Sequence, residues 1–440
     1  MSDLLPHQRA GAAWLAQRAR AYLADAPRVG KTRTVFAALE LRPELRTKVQ
    51  TRDPVVLVLC PAIVRTHWRR EYEITTRPYK LIVMSYDEAR NKGRDYMASV
   101  IAGGGVRALV LDEAHYLKDP KAQRTKLVLG ANGLCHQVPV CWALSGTPAP
   151  KHPGELWPVL ISFWPAECRV AGWPTYERFA ESFLITVRRP LPGLHHRAKF
   201  TEKVVGVKDA EGLRAFLADK MLRRTLEDVS DSVPPLFWQK VELDTDADAL
   251  AALRTLTEEE RDGLATAVIE EAGWEAPLAA AGRRKLGVAK APLATQYIAD
   301  LLDGQGERKV VVFAHHRDVL DLLERDLERY GLVRVDGSTS HVARVKAIDE
   351  FQTKTYCRIF LGQTIACQTG ITLDAAQVAV LVEPDWTAVV NQQAGNRVMN
   401  VRDPAPRTVQ MLCLANTLDE AIVAINYRET RMHAALGLEA

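Results

Sequence analysis

LADAPRVGKTRT, residues 23–34, runs from a short apolar stretch through Gly-Lys-Thr into a helical pattern, TVFAALEL. That order is the strand–loop–helix of a phosphate-binding loop. In such a loop, backbone N–H groups at a helix start face the phosphates, Lys31 neutralises charge and Thr32 holds Mg²⁺. Asp25 stands five residues before Gly30, where the pattern GxxxxGK[ST] has glycine. Pro27 withdraws one N–H, and Arg28 is bulky where glycine is common. The cradle must therefore be built by Val29, Gly30, Lys31 and Thr32. By itself this stretch reads equally as a nucleotide cradle or as an ordinary strand–turn–helix.

ALVLDEAHYLKD (108–119) adds a second feature: adjacent carboxylates, Asp112 and Glu113, at the end of an apolar strand. In a nucleotide hydrolase the first holds Mg²⁺ through water and the second polarises the attacking water. A strand-end acidic pair alone is common, but a phosphate loop followed by one within the same α/β pattern points to a nucleotide site. The surrounding sequence supplies that pattern. PVVLVLCPA (54–62), KLIVMSY (80–86) and VCWALSGTP (140–148) are further buried-strand candidates. KVVVFAHH (309–316), LVRVDGSTS (332–340), CRIFLGQTIA (357–366) and VAVLVEP (378–384) form a second set. Each ends in small or polar residues, where α/β folds place their ligands.

Composition narrows the class. A chain of 440 residues, 47% hydrophobic and 25% charged, has the makeup of an ordinary globular protein of several domains. The formal charge of +4 is compatible with nucleic acid without being a strongly basic footprint. Seven cysteines without a CxxC pair argue against a disulfide scaffold or zinc knuckle and for a reducing compartment. No apolar run is long enough to span a bilayer, and the start is not a signal peptide. A cytoplasmic protein is expected.

In order, the chain resembles the Swi/Snf-type ATPases of helicase superfamily 2 over nearly its whole length. LLPHQRAGAAWL (4–15) looks like the Q-motif, with Gln8 reading adenine, and LADAPRVGKT is a variant motif I. LCPAIVRTHWRREYE (59–73) and IVMSYDEA (82–89) resemble motifs Ia and Ib, and LDEAHYLKDPKAQRTK (111–126) resembles motif II. ALSGTPAPKHPGELWPVLISFWP (143–165) resembles motif III, and MLRRTLEDVSDSVPP (221–235) the segment before the crossing to a second lobe. VVVFAHHRDVLDLLERDL (310–327), VDGSTSHVARVKAIDEFQ (335–352) and TIACQTGITLDAAQVAVLVEPDWT (364–387) follow the family through motif V. Their wording is nearest the annealing-helicase (HARP-type) branch.

The resemblance implies an α/β fold of two RecA-like lobes, each a parallel sheet with flanking helices, plus helical insertions. The expected lobes are 1–235, with an insertion near 150–220, and 236–440, with an insertion near 245–290. It implies ATP and Mg²⁺ as cofactors, held by Gln8, Val29, Gly30, Lys31, Thr32 and Asp112 from one lobe. Gly370, Gln393, Arg397 and Arg402 would serve from the other, with Lys31, Glu113 and Arg397 catalytic and Thr32 and Asp112 on the metal. Ser145, Gly146 and Thr147 would couple nucleotide state to grip on double-stranded or branched DNA. Arg65, Ser85, Ser338, Thr339 and Thr364 are the expected DNA contacts. With one helix following motif VI, no histone-binding appendage is expected. The cell would be bacterial or phage-infected, or the site nuclear if eukaryotic.

QQAGNRVMNVRDP (392–404) departs from the motif VI pattern Q-x-x-D-R-x-H-R. Aligned on Gln393, the first arginine is kept as Arg397, the second is Asn400, and Arg402 follows. Slow hydrolysis, or a nucleotide-gated DNA-binding module with little turnover, is therefore the alternative to a translocase. His315 and His316 read as core histidines rather than DNA contacts, and His195 and His196 lack metal-ligand spacing. Trp157, Trp164, Trp173 and Trp386 read as packing. Arg283, Arg284 and Lys285 read equally as a solvated helix face or as phosphate contacts.

Overall fold

The computed structural model describes residues 4–46, 53–74, 77–190, 200–229, 235–244, 277–304, 309–367, 371–400, 403, 405–415 and 417–437. Contacts divide the chain into two units. The first is Met1–Ile185, Val204–Asp231 and Arg431–Ala440, and the second is Thr186–Lys203 with Ser232–Thr430. The division thus departs from a single cut near 235: the last ten residues group with the first unit, and an excursion within the expected first insertion groups with the second.

The first unit is built on β1 (Arg20–Leu23), β2 (Val55–Cys60), β3 (Lys80–Ser85), β4 (Val106–Asp112) and β5 (Val140–Leu144). Its helices are α1 (Pro6–Ala16), α2 (Lys31–Leu41), α3 (Arg65–Glu73), α4 (Tyr86–Gly104) and α5 (Gln123–Leu129). The expected insertion contains α6 (Trp157–Phe163), α7 (Pro165–Val170), α8 (Tyr176–Phe183), the strand pair β6 (Leu184–Pro190) and β7 (Phe200–Val207), and α9 (Ala210–Leu217). β8 (Met221–Leu222) completes a parallel sheet of order β3-β2-β4-β5-β1-β8.

Alternation along β2 shows why the apolar runs became central strands. Val55, Leu57 and Leu59 enter one core, while Val56, Val58 and Cys60 enter the core on the opposite face. A strand covered by helices on both sides must be apolar at every position. Trp157, Trp164 and Trp173 are buried in the first of these cores, in line with their reading as packing.

The second unit repeats the scheme. Its strands are β9 (Leu236–Leu243), β10 (Val310–Ala314), β11 (Leu332–Val335), β12 (Ile359–Gln363), β13 (Val378–Leu381) and β14 (Arg407–Leu414). All pair in parallel, in the order β11-β12-β10-β13-β14-β9. Flanking helices are α10 (Pro277–Asp303), α11 (Arg317–Leu327), α12 (His341–Thr353), α13 (Thr364–Cys367) and α14 (Ala388–Gly395). α15 (Leu418–Ala435) follows, and its last five residues group with the first unit. Most of the expected second insertion, 245–276, lies outside the described residues, as do His195 and His196.

Two parallel sheets with flanking helices are the expected fold class. All seven cysteines are buried and free, and among the described residues no helix is long and apolar enough to cross a membrane.

Candidate nucleotide site and its relatives

Register places the key loops side by side. Leu23 of β1 and Asp112 of β4 both pair with Leu144 of β5, so the three strands end level. From their carboxyl ends issue the phosphate loop, the acidic pair and Ser145–Gly146–Thr147, the edge where parallel α/β sheets hold ligands.

The loop keeps its shape by three devices. Gly30 has φ 95° and its Cβ position would overlap the Gln8 amide, so only glycine fits there. Gln8 is buried, and its Oε1 accepts the Leu5 N–H at 3.1 Å, which fixes the start of α1. His7 Nε2 lies 2.9 Å from Val29 O, tying α1 to the loop. Lys31 Nζ donates to Asp25 O at 2.8 Å and Ala26 O at 3.3 Å. Burial pulls its pKa down against the opposing charges of Glu113, Asp112 and Asp25. Thr32 is half-buried in the first turn of α2.

Arg28 takes φ 70°, a left-handed conformation that a side chain with a Cβ resists. That conformer costs roughly 1–2 kcal/mol in a non-glycine residue. Arg28→Gly is therefore expected to raise stability by about 1 kcal/mol, read as a higher urea midpoint. A lower midpoint would show that contacts of the arginine outweigh the strain.

The acidic pair is held by residues far away in sequence. Asp112 Oδ2 accepts the Trp68 indole N–H at 2.7 Å, its Oδ1 accepts the Glu113 N–H at 3.0 Å, and Tyr86 Oη donates to its carbonyl at 2.9 Å. Burial, then the neighbouring Glu113 charge, pushes the Asp112 carboxyl above its ordinary range. Glu113 has φ 50°, the other non-glycine in the left-handed region among the described residues. Its Oε2 lies 3.2 Å from His115 Nδ1 and 3.4 Å from Ser145 Oγ, which donates to it. Burial opposes ionisation of Glu113, but His115, Lys31 and Ser145 outweigh it and hold the carboxyl below its ordinary value. His115 Nδ1 and Ser145 Oγ are 2.9 Å apart, and Ser145 Oγ accepts the Thr147 N–H at 3.1 Å. A Cβ on Gly146 would sit 3.0 Å from Pro27 Cδ and 3.3 Å from Lys31 Nζ, so glycine lets this loop pack against the phosphate loop. Sequence reasoning missed Trp68 and His115 as anchors; the aromatic in THW and the histidine of DEAH were their only signals.

In the second unit, Gln363 links three strand ends. Its Oε1 accepts the Gly337 N–H at 2.9 Å, and its Nε2 donates to His315 O at 3.0 Å. Ser338 is exposed and Thr339 half-buried, and both bond to Asp336. Thr364 is 2% exposed with its hydroxyl on Ala314 O, and Ser85 is 7% exposed and caps α4 through the Glu88 N–H. These two hydroxyls serve the fold, which leaves Arg65, Ser338 and Thr339 as the accessible members of the expected DNA set. Arg65 is partly exposed and paired with Glu88 at 2.8 Å.

Gln393 is buried in α14, and Arg397 Nε donates to its carbonyl at 2.9 Å while Nη1 donates to Ile371 O at 3.2 Å. Gly370 and Arg402 lie outside the described residues. His316 Nδ1 is 2.7 Å from Glu383 Oε1, both histidines are half-buried, and burial, then the neighbouring His316, drives the His315 pKa down to about 3. Arg283 is buried, donates to Pro384 O and lies 5.1 Å from the Trp386 ring centre, while exposed Arg284 pairs with Asp318. The first arginine of that basic cluster therefore faces the core, not a phosphate.

Two known domains match the chain. The SNF2-related domain matches residues 75–262, and the helicase conserved C-terminal domain matches residues 294–402. The chain carries both domains of the Swi/Snf-type family of helicase superfamily 2. Among this family's members, it is 25% identical to the Bos taurus SWI/SNF-related matrix-associated actin-dependent regulator of chromatin subfamily A-like protein 1, over all of this chain and 45% of that protein. The Caenorhabditis elegans homologue is 27% identical over 95% of this chain and 60% of its own length. The Homo sapiens DNA annealing helicase and endonuclease ZRANB3 is 23% identical over 95% of this chain and 39% of its own length. The chain thus spans about half the length of the curated Swi/Snf-type relatives it matches. The solved Sulfolobus solfataricus SWI2/SNF2 ATPase core in complex with dsDNA is 19% identical, with a TM-score of 0.39, over 95% of this chain and 89% of that one.

Proposed function

We propose that the chain is an ATP-dependent translocase on double-stranded DNA that remodels DNA structures or protein–DNA complexes, fork remodelling and strand annealing among them. The observation that carries this reading is the convergence of Lys31, Asp112 and a constrained Glu113 at the level ends of β1, β4 and β5. The relatives' names, a regulator of chromatin and a DNA annealing helicase, support a DNA substrate. Such work would lie in the cytoplasm of a bacterial or phage-infected cell, or in a nucleus.

The donors fit Mg²⁺: the Thr32 hydroxyl and the Asp112 carboxylate are hard oxygen ligands, and phosphates and waters would supply the rest. The metal would neutralise charge on the phosphates. Lys31, released from the carbonyls of Asp25 and Ala26, would turn to those phosphates, and Gln8 would read adenine. Glu113, its lone pairs oriented by His115 and Ser145, would polarise the attacking water. Gly370, Gln393, Arg397 and Arg402 would complete the nucleotide contacts. Ser145, bonded to Glu113 and to the Thr147 N–H, and Gly146, packed on the loop, would with Thr147 pass nucleotide state to the DNA grip.

A second reading, a nucleotide-gated DNA clamp with little turnover, is favoured by Asn400 in motif VI and by Pro27 and Arg28 in the loop. Steady-state phosphate release with and without duplex DNA separates the two. A translocase should be stimulated by duplex or branched DNA. Because phosphate contacts release counterions, DNA affinity should fall about 10³–10⁵-fold between about 50 and about 200 mM salt if roughly six to ten phosphates are engaged. Equal stimulation by an unstructured single strand would count against the assignment to duplex.

A further inference from the structure

Asp25, standing where the loop pattern has glycine, is fully buried, and a buried carboxylate demands a partner. It has one from 199 residues away: Arg224 Nε donates to Asp25 Oδ1 at 3.0 Å, and Nη2 donates to Oδ2. The remaining nitrogen, Nη1, donates to His7 O at the start of α1. Gly11 on the same helix makes room, since a Cβ there would come within 2.5 Å of Arg224 Nη2. Backbone pairing places the arginine: the Ala24 N–H donates to Leu222 O at 2.7 Å, and the Ala26 N–H to Arg224 O at 2.8 Å. His7 closes the circuit through Val29 O, and Asp25 O receives Lys31 Nζ.

We propose that Arg224 is a positioning residue of the nucleotide pocket: its guanidinium fastens the phosphate loop to α1, so that Gln8 and Lys31 are held as one body. This rests on the nucleotide-site reading above. Arginine suits the position because its planar fork binds both carboxylate oxygens and keeps a further N–H for His7, which a lysine ammonium cannot do in that geometry. Misplacing either end of the pocket would weaken ground-state nucleotide binding more than the chemical step, since Glu113 and Asp112 take no part in the clamp.

The test begins with binding of a fluorescent ATP analogue with Mg²⁺ to the unaltered chain. Arg224→Lys, which keeps the charge, is expected to weaken that binding and raise the KM for ATP about tenfold with kcat nearly unchanged. Duplex binding without nucleotide should stay as it is, while the melting midpoint falls modestly because buried Asp25 loses part of its hydrogen bonding. Gly11→Ala is the second variant. Alanine favours a helix, but its Cβ displaces the guanidinium from buried Asp25, so the melting midpoint should fall while the KM-only loss is reproduced. No analogue binding by the unaltered chain would sink the nucleotide reading and this inference with it. Binding by the unaltered chain together with parental KM in Gly11→Ala or Arg224→Lys, or losses in KM, kcat and duplex binding together, would overturn the inference alone.

Discussion

Arg397→Ala is expected to lower DNA-stimulated phosphate release by about 10³-fold or more, while leaving nucleotide binding to the first unit largely intact. An arginine finger contributes about 10³–10⁵-fold because it meets charge that develops only in the transition state. Asn400, neutral and short, cannot supply that charge, and Arg397 keeps its spacing from Gln393. The guanidinium is half-buried and bonded to the carbonyls of Gln393 and Ile371, so its role requires exchange of neutral carbonyl partners for phosphate oxygens. That exchange gains from charge, since bonds between ionised groups are the stronger ones. Arg402→Ala should have the smaller effect. The measurement is steady-state phosphate release on saturating duplex; parental turnover in Arg397→Ala would reassign the finger.

Glu113→Gln is expected to retain ATP and lose turnover by about 10²–10⁴-fold, the range for removing a positioned general base. Glutamine keeps the shape and the contacts to His115 and Ser145, but it cannot accept a proton. Two features suit Glu113 to act as that base. Its carboxyl is held ionised despite burial, and its backbone accepts a left-handed conformation that aims the side chain. Strain of that kind persists where the surrounding structure over-determines a functional geometry. Lys31→Ala should instead weaken ATP binding, because the ammonium is the phosphate's counter-charge. Filter binding and phosphate release, measured on the same preparations, distinguish the two; unchanged release in both variants would remove the site assignment.

All eight apolar runs singled out in the sequence are strands: β2, β3, β4 and β5 in one sheet, and β10, β11, β12 and β13 in the other. Apart from β14, which is eight residues long and mostly buried, several of the strands not singled out are short or only partly buried. β1 is only RAYL, with a charged first residue, and β8 has two residues. Among the described residues β9 pairs only with β14 and is largely exposed or half-buried, so its side chains carry a mixed pattern. Short or edge strands are specified by the neighbour they pair with, and pairing partners leave no local mark.

The same division runs through the site. Lys31, Thr32, Asp112 and Glu113 could be proposed from the sequence because phosphate and metal chemistry call for those residue types next to a strand end and a helix start. Sequence alone also showed the α/β alternation, because the 2.0- and 3.6-residue periods are local consequences of backbone geometry. Only the tertiary structure decided which distant side chains satisfy the buried charges. Trp68 on Asp112, His115 and Ser145 on Glu113, and Arg224 on Asp25 were chosen by packing, and so was the burial of Ser85, Thr364 and Arg283. A carboxylate leaving water must find a donor wherever the folded chain brings one, and sequence separation places no limit on where that is.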